Sequence, residues 1–186
     1  INQIESIFLV KINNEGVQEW QKNIDFNYHI GGNAIIELND ENIGIVGYAN
    51  SNNNKDIFVL KLDSEGNELW SKLIGGIESD EGHDILALEN GGIAVLGETH
   101  SNGDKDGDIW ILEFDSDGNS IDSILIQLDD KQVGYSFVKI DINQYIIGGI
   151  TSGFSGVTDA FIIKVNDMAE IIWEYSFGGN FNDKVF

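Results

Sequence analysis

The stretch Asp104-Lys105-Asp106-Gly107-Asp108 sets three carboxylates at alternate positions. Hard cations such as Ca²⁺ take six to eight oxygen ligands, and a loop of this kind offers the first three. The resemblance to a helix-loop-helix calcium loop stops there: the Gly is displaced, and no Glu follows at the twelfth position. A second acidic group, Glu78, Asp80, Glu81 and Asp84, lies shortly before it. The bland alternative for both groups is solvated loop surface. His29, His83 and His100 share no metal-ligand spacing. A nucleophile elbow, a phosphate-cradling Gly loop and an H-E-x-x-H pattern are all absent from the sequence. Acidic pairs are numerous, but 32 Asp and Glu among 186 residues produce them by chance. Only a distance would make any pair a glycosidase candidate.

The elements that hold these residues repeat. Asp56 to Trp70 reads DIFVLKLDSEGNELW, and Ser6 to Trp20, Asp108 to Asp122 and Asp159 to Trp173 follow the same pattern, at steps of 50, 52 and 51 residues. Each begins with a β-branched or aromatic run too short for a helix. Each then reaches an Asp/Asn turn, closed by Gly16, Gly66 and Gly118 in three copies and by Ala169 in the fourth. An Asp or Asn at the first turn position bonds the backbone ahead of it, and Gly accepts the positive φ that follows. The missing Gly predicts a strained turn, or another turn type, at Asn166–Ala169. A second hairpin precedes each full copy: 33–48, 83–98 and 135–150, each with a Gly near its end at Gly47, Gly97 and Gly149.

Four antiparallel strands in about 50 residues match a β-propeller blade, so the sequence predicts an all-β propeller segment. The expected layout is one domain over 1–186: a partial blade at 1–32, blades at 33–82, 83–134 and 135–183, and the start of another at 184–186. The chain begins at Ile1 without Met and reads as part of a longer protein. Recurrent Trp20, Trp70 and Trp173 read as packing between blades. Recurrent Asp56, Asp108 and Asp159 read as backbone-bonding residues at the entry to the third strand of each blade. The short turns fall on one face. The longer connections, 49–56, 99–108 and 151–159 together with 25–32, 75–82, 127–134 and 178–183, fall on the other. Function usually sits on variable loops carried by a rigid scaffold. Candidate ligand-face residues are therefore Tyr28, Glu78, Asp80, Glu81, Phe154 and Phe181, with Asp104, Asp106 and Asp108 as the calcium candidates.

The Gly-x-Thr-x-Ser run at Gly97–Ser101, Asp108 to Gly118, Trp70, Gly75-Gly76 and Asp80 resemble SBBP-type β-propeller repeats, and the hairpin is similar to quinoprotein repeats. The last repeat matches through Gly149-Ile150-Thr151-Ser152, Asp159, Trp173, Gly178-Gly179 and Asp183. Departures are Ala49 for Thr, Asp122 for Trp, and Gln127-Leu128 for Gly-Gly. The resemblance implies a large secreted or cell-surface bacterial or archaeal protein, and it carries no catalytic residue across.

A formal charge of −22 disfavours nucleic acid, whose phosphates need Lys and Arg, and equally disfavours anionic membranes. No apolar run approaches the roughly 20 residues of a membrane-spanning helix. Zero Cys excludes disulfides and thiolate metal sites. The function expected is a non-catalytic scaffold or adhesion module that binds protein or glycan, with further blades of the same or a neighbouring chain beside it. The alternative is a propeller-type polysaccharide hydrolase or lyase.

Overall fold

The computed structural model describes residues 4–51, 54–103, 107–128, 131–152 and 158–183. Fourteen strands and no helix occur among them: β1 Ile7–Ile12, β2 Gln18–Ile24, β3 His29–Glu37, β4 Ile43–Ser51, β5 Asn54–Leu62, β6 Glu68–Ile74, β7 Asp80–Ala87, β8 Ile93–Thr99, β9 Asp108–Phe114, β10 Ser120–Ile126, β11 Lys131–Asp141, β12 Gln144–Ser152, β13 Thr158–Asn166 and β14 Ile171–Phe177. They form four antiparallel sheets: β1-β2, β3-β4-β5-β6, β7-β8-β9-β10 and β11-β12-β13-β14. This all-β arrangement is compatible with a propeller-like fold.

Side-chain alternation on the third strand of each sheet builds the cores. From β5, Phe58, Leu60 and Leu62 face back to the first sheet and meet Ile7, Ile30 and Ile45. Ile57 and Val59 face forward and meet Ile85, Val95, Trp110 and Leu112 of the third sheet. From β9, Ile109 and Ile111 continue forward to Phe137, Ile147 and Phe161 of the fourth. Each inner sheet is thus buried on both faces, which is why its third strand reads as a nearly unbroken apolar run.

Two β-bulges recur. In the first hairpin of each full sheet the register slips between Gly32/Ala34, Gly82/Asp84 and Gly134/Ser136, leaving Asn33, His83 and Tyr135 as the extra residues. The strand therefore starts before the bulge, at His29, Asp80 and Lys131, where the sequence had suggested loop. The bulge also explains the glycine on the partner strand. A Cβ at Gly47 or Gly149 would collide with the carbonyl oxygen of Gly31 or Val133.

The second hairpins turn alike. The first residue's side-chain oxygen accepts two backbone N–H bonds: Glu65 at 3.0 Å and Asn67 at 2.7 Å for Asp63, Asp117 at 3.0 Å and Asn119 at 2.8 Å for Asp115. Bonds from Asn67 and from Asn119 hold these two carboxyls below the usual range. The fourth copy keeps the same turn, with Asn166 accepting from Met168 at 3.1 Å and Glu170 at 2.8 Å. Ala169 is forced to φ 60°, so of the two sequence expectations the strained turn is the one realised.

Successive sheets lock at these turns. Trp20 Nε1 donates to Ser64 O at 3.2 Å, and Trp70 Nε1 to Ser116 O at 3.0 Å. Each indole covers the next turn's glycine, for a Cβ on Gly66 would come within 3.1 Å of Trp20 and one on Gly118 within 2.8 Å of Trp70. The third sheet has Asp122 in place of the Trp, and there the following turn carries Ala169. Two outcomes are expected in denaturant unfolding. Ala169→Gly stabilises by about 0.5 kcal/mol because the left-handed conformation no longer strains a Cβ. Gly118→Ala destabilises by more than ~1 kcal/mol, since it combines that strain with overlap against Trp70.

Candidate functional site

The bulges place polar residues where the first strands of neighbouring sheets meet. Asn33 Nδ2 reaches from β3 to Gly82 O at 2.8 Å and Glu81 Oε1 at 3.0 Å on β7. His83 packs edge-on against Tyr135 of β11, ring centroids 5.5 Å apart. Asn33, Glu81, His83, Glu98, Val133 and Tyr135 line a recess of about 530 Å³.

Glu98 is its centre. It lies directly across the β7–β8 ladder from Glu81. Like charges so placed repel, and each is answered separately. Lys55 Nζ pairs with Glu81 Oε2 at 2.7 Å while sitting over the Tyr48 ring, 4.2 Å from its centroid. His100 Nε2 and Lys131 Nζ approach Glu98 Oε1 to 2.9 and 3.5 Å, and His83 Nε2 stands 3.8 Å from Oε2. Burial alone would raise the Glu98 carboxyl. His83, Lys131 and His100 outweigh it and hold the group below the ordinary range. Tyr135 moves up, through burial and the charges of Glu98 and Glu81. Glu98 Oε1 is thus answered by His100 and Lys131, whereas the buried His83 Nε2, 3.8 Å from Glu98 Oε2, makes no hydrogen bond of good geometry among the described residues. Buried polar groups normally find partners, so His83 Nε2 marks the recess as receptive to a hydrogen-bonding ligand or water.

Gly107, φ 97°, lies against Glu98 and His100: a Cβ there would lie 2.6 Å from Glu98 Oε1. The 99–108 connection singled out in the sequence therefore ends on the Glu98–His100 pair. Chemically the set offers Asn, His, Lys and Tyr donors around two carboxylates, Glu81 and Glu98. A general acid needs a raised pKa, and Glu98 is shifted the other way.

The other candidates fall elsewhere. Asp104, Asp106 and Phe154 lie outside the described residues. Asp108 is buried, and a Cβ on Gly103 would strike its carboxylate. Asp56 and Asp159 crowd Gly75 and Gly178 in the same way. Burial and the neighbouring Asp80 raise the Asp56 carboxyl. Asp80 is itself buried and accepts bonds from Thr99 Oγ1, Ser101 Oγ at 2.7 Å and Gly76 N at 3.0 Å, so it ties the 75–80 connection to β8. Glu78 is exposed and touches Ser101 through its backbone. Tyr28 stacks on Phe26 at 5.5 Å and packs partly into the core behind the second sheet. Phe181 is exposed. Of the sequence candidates among the described residues, Glu81 alone lines the recess. Among the described residues no group of three or more His, Asp or Glu is arranged to hold a metal ion.

Sequence reasoning missed Glu98, His83, His100, Lys131, Asn33 and Tyr135. The available signal was the hairpin centred on Asn90-Gly91, whose pairing brings the ends of β7 and β8 together. The one-residue bulge that turns His83 inward was not visible.

No family model matches the chain, and no curated protein matches it. It is similar to the crystal structure of a protein of unknown function from Bacteroides caccae, at 12% identity and a TM-score of 0.52, over 92% of this chain and 73% of that one. At that identity the likeness is one of fold.

Replacing Glu98 tests the electrostatics. The carboxyl is depressed, so its stabilisation is present above the unfolded-state value and is lost as pH falls through the lower folded-state one. Glu98→Gln is expected to cost about 1–3 kcal/mol at pH 7. The gap from wild type narrows as the pH drops below the ordinary carboxylate range and the Glu98 carboxyl protonates. A variant as stable as wild type at pH 7 would contradict the assignment.

Proposed function

We propose that the chain is an arc of a β-propeller of the SBBP-like, quinoprotein-related type and works as a non-catalytic interaction module of a larger extracellular or cell-surface protein. Its sheets correspond to a half blade followed by three blades. The ligand is a glycan or a hydroxyl-rich protein surface. It is engaged where the variable connections meet the first strands.

The observation that carries this reading is the recess at Glu98. Donors and acceptors from three successive sheets converge on one cavity, and the buried His83 Nε2 within it makes no hydrogen bond of good geometry among the described residues. Sugar hydroxyls both donate and accept, so they can satisfy His83 and Glu98 together, while Tyr135 supplies an apolar ring. The acidic surface favours such neutral polar ligands over polyanions. The depressed Glu98 carboxyl suits a fixed hydrogen-bond acceptor better than a proton donor.

A glycan array followed by titration calorimetry tests the proposal. A bound oligosaccharide is expected, weakened at least ten-fold by Tyr135→Ala or Lys131→Ala and recovered unaltered after long incubation. Release of reducing ends or unsaturated sugars would instead establish the hydrolase or lyase alternative. Failure of every glycan, with capture of a surface protein that the same variants abolish, would leave the module reading in place with protein as its ligand.

A further inference from the structure

A second opening, of about 540 Å³, lies between the third and fourth sheets, away from the Glu98 recess. The repeat shows why it exists. In the first joint Phe26, just past β2, sets its ring against Phe58 of β5, centroids 5.3 Å apart. In the second joint Gly76 takes the place of Phe26, and Trp110 of β9 takes the place of Phe58. The larger ring fills the space. Its Nε1 donates to Ser123 Oγ at 2.9 Å, and Leu125 lies opposite it on β10. In the third joint the positions of Trp110, Ser123 and Leu125 carry Phe161, Glu174 and Ser176. The ring has shrunk, and two small or apolar groups have become a carboxylate and a hydroxyl. Leu128, at the place of Phe26, is smaller than the phenylalanine, and the joint stays open.

Both walls lie within the chain. Phe161 and Ile163 belong to the core shared with Ile109 and Ile111 of the third sheet, and Ser176 and Glu174 are their cross-strand partners on β14. The opening therefore faces back toward the third sheet. Its lining is acidic and carries no Lys, Arg or His among the described residues. Asp159 lines it, and Asp159 Oδ1 is buried without a hydrogen bond among the described residues. Gln132, 7% exposed, donates from Nε2 to Thr151 Oγ1 at 3.3 Å, which leaves the amide oxygen as its free end. Lys139, which the fourth sheet turns into this joint, is engaged by Glu113. Two carboxylates beside an aromatic wall, with no cation of the chain to answer them, complement a guanidinium. That group is planar, carries five N–H donors, pairs with carboxylates through two bonds and stacks on rings.

We propose that the opening between the third and fourth sheets is a second binding site, one that takes a guanidinium group on an apolar stem. The cation is held by Asp159 and Glu174, its plane rests on Phe161, and the stem lies along Leu128. A neutral sugar, the ligand class proposed for the Glu98 recess, would leave both carboxylates without a counter-charge. The guanidinium comes either as an arginine side chain of a partner polypeptide or as a small free guanidine. The net charge of −22 draws either toward the chain. The two sites share no lining residue, so each can fail without the other.

Titration of the 186-residue chain with butylguanidine and with acetyl-arginine amide, followed by two-dimensional amide NMR, is the test. The expected result is a saturable shift of the Thr151, Phe161 and Ser176 amides, weakened by salt. Acetyl-norleucine amide, which keeps the stem and lacks the charge, is expected to give none. Asp159→Asn and Glu174→Gln are each expected to weaken binding about ten-fold, as for loss of one partner of a charge-assisted hydrogen bond. Glu174 is exposed, so its variant keeps the test open if Asp159→Asn does not fold. Phe161→Trp combined with Glu174→Ser rebuilds the filled second joint and is expected to abolish binding in a chain that melts no lower than wild type. Tighter binding of acetyl-arginine amide supports a partner's arginine as the occupant, and tighter binding of butylguanidine supports a free guanidine. No saturable shift with either probe would overturn the inference. So would equal shifts from the norleucine probe, or an affinity that both carboxylate variants leave unchanged.

Discussion

Trp70 lying on Gly118 is the contact on which the arrangement of sheets depends. A strand stack has no intrinsic register between sheets, because apolar faces slide over one another at little cost. The indole removes that freedom. Its ring needs a turn without a Cβ, and its N–H needs the carbonyl of Ser116 two residues earlier. The turn in turn needs a residue that accepts a positive φ, which Gly118 provides. One residue therefore meets two demands, and the same pairing of Trp20 with Gly66 sets the sheet before it.

The third joint meets the same requirement with different chemistry. Where the second sheet carries Lys61 the third carries Glu113, and Asp122 replaces Trp. A buried carboxylate needs donors. The fourth sheet supplies them: Lys139 and the Tyr145 hydroxyl both bond Glu113 Oε1. Burial, reinforced by Glu113, pushes the Tyr145 hydroxyl far up, which keeps it a donor. Lys61 is itself buried and bonded to Asp40 at 3.2 Å, so both inner joints enclose a charge held by the neighbouring turns and strands. Ala169, relieved of a tryptophan above it, tolerates its strained φ.

The repeat, the hairpins and the turn residues were all legible in the sequence, because they follow from local chemistry: Asp or Asn to open the turn, Gly to close it, alternation to face the cores. What each tryptophan touches was not legible, since the contact spans about 46 residues. The recess was hidden for a different reason. Asn33, His83 and Tyr135 share one repeat position but differ in chemical type, and the bulge that turns them toward one another leaves no mark in the sequence. The sequence drew attention to Asp80 as a ligand-face acid, and to Asp108 both as a calcium candidate and as a backbone-bonding residue at the entry to the third strand. Both carboxylates are buried against backbone, Asp80 capping one connection and Asp108 packed under Gly103, which is the work that strand ends impose on short acidic side chains.

Rigid joints and the recess belong together. The recess draws on three sheets, so its geometry is only as fixed as the joints between them. The claim that tryptophan and turn glycine form one unit is tested most directly by a double-mutant cycle at the joint that lacks both. Stability of Asp122→Trp, Ala169→Gly and the double variant would be measured by denaturant unfolding. The account predicts favourable coupling of at least ~0.5 kcal/mol, with the new tryptophan stabilising only over glycine. Additive effects would contradict it.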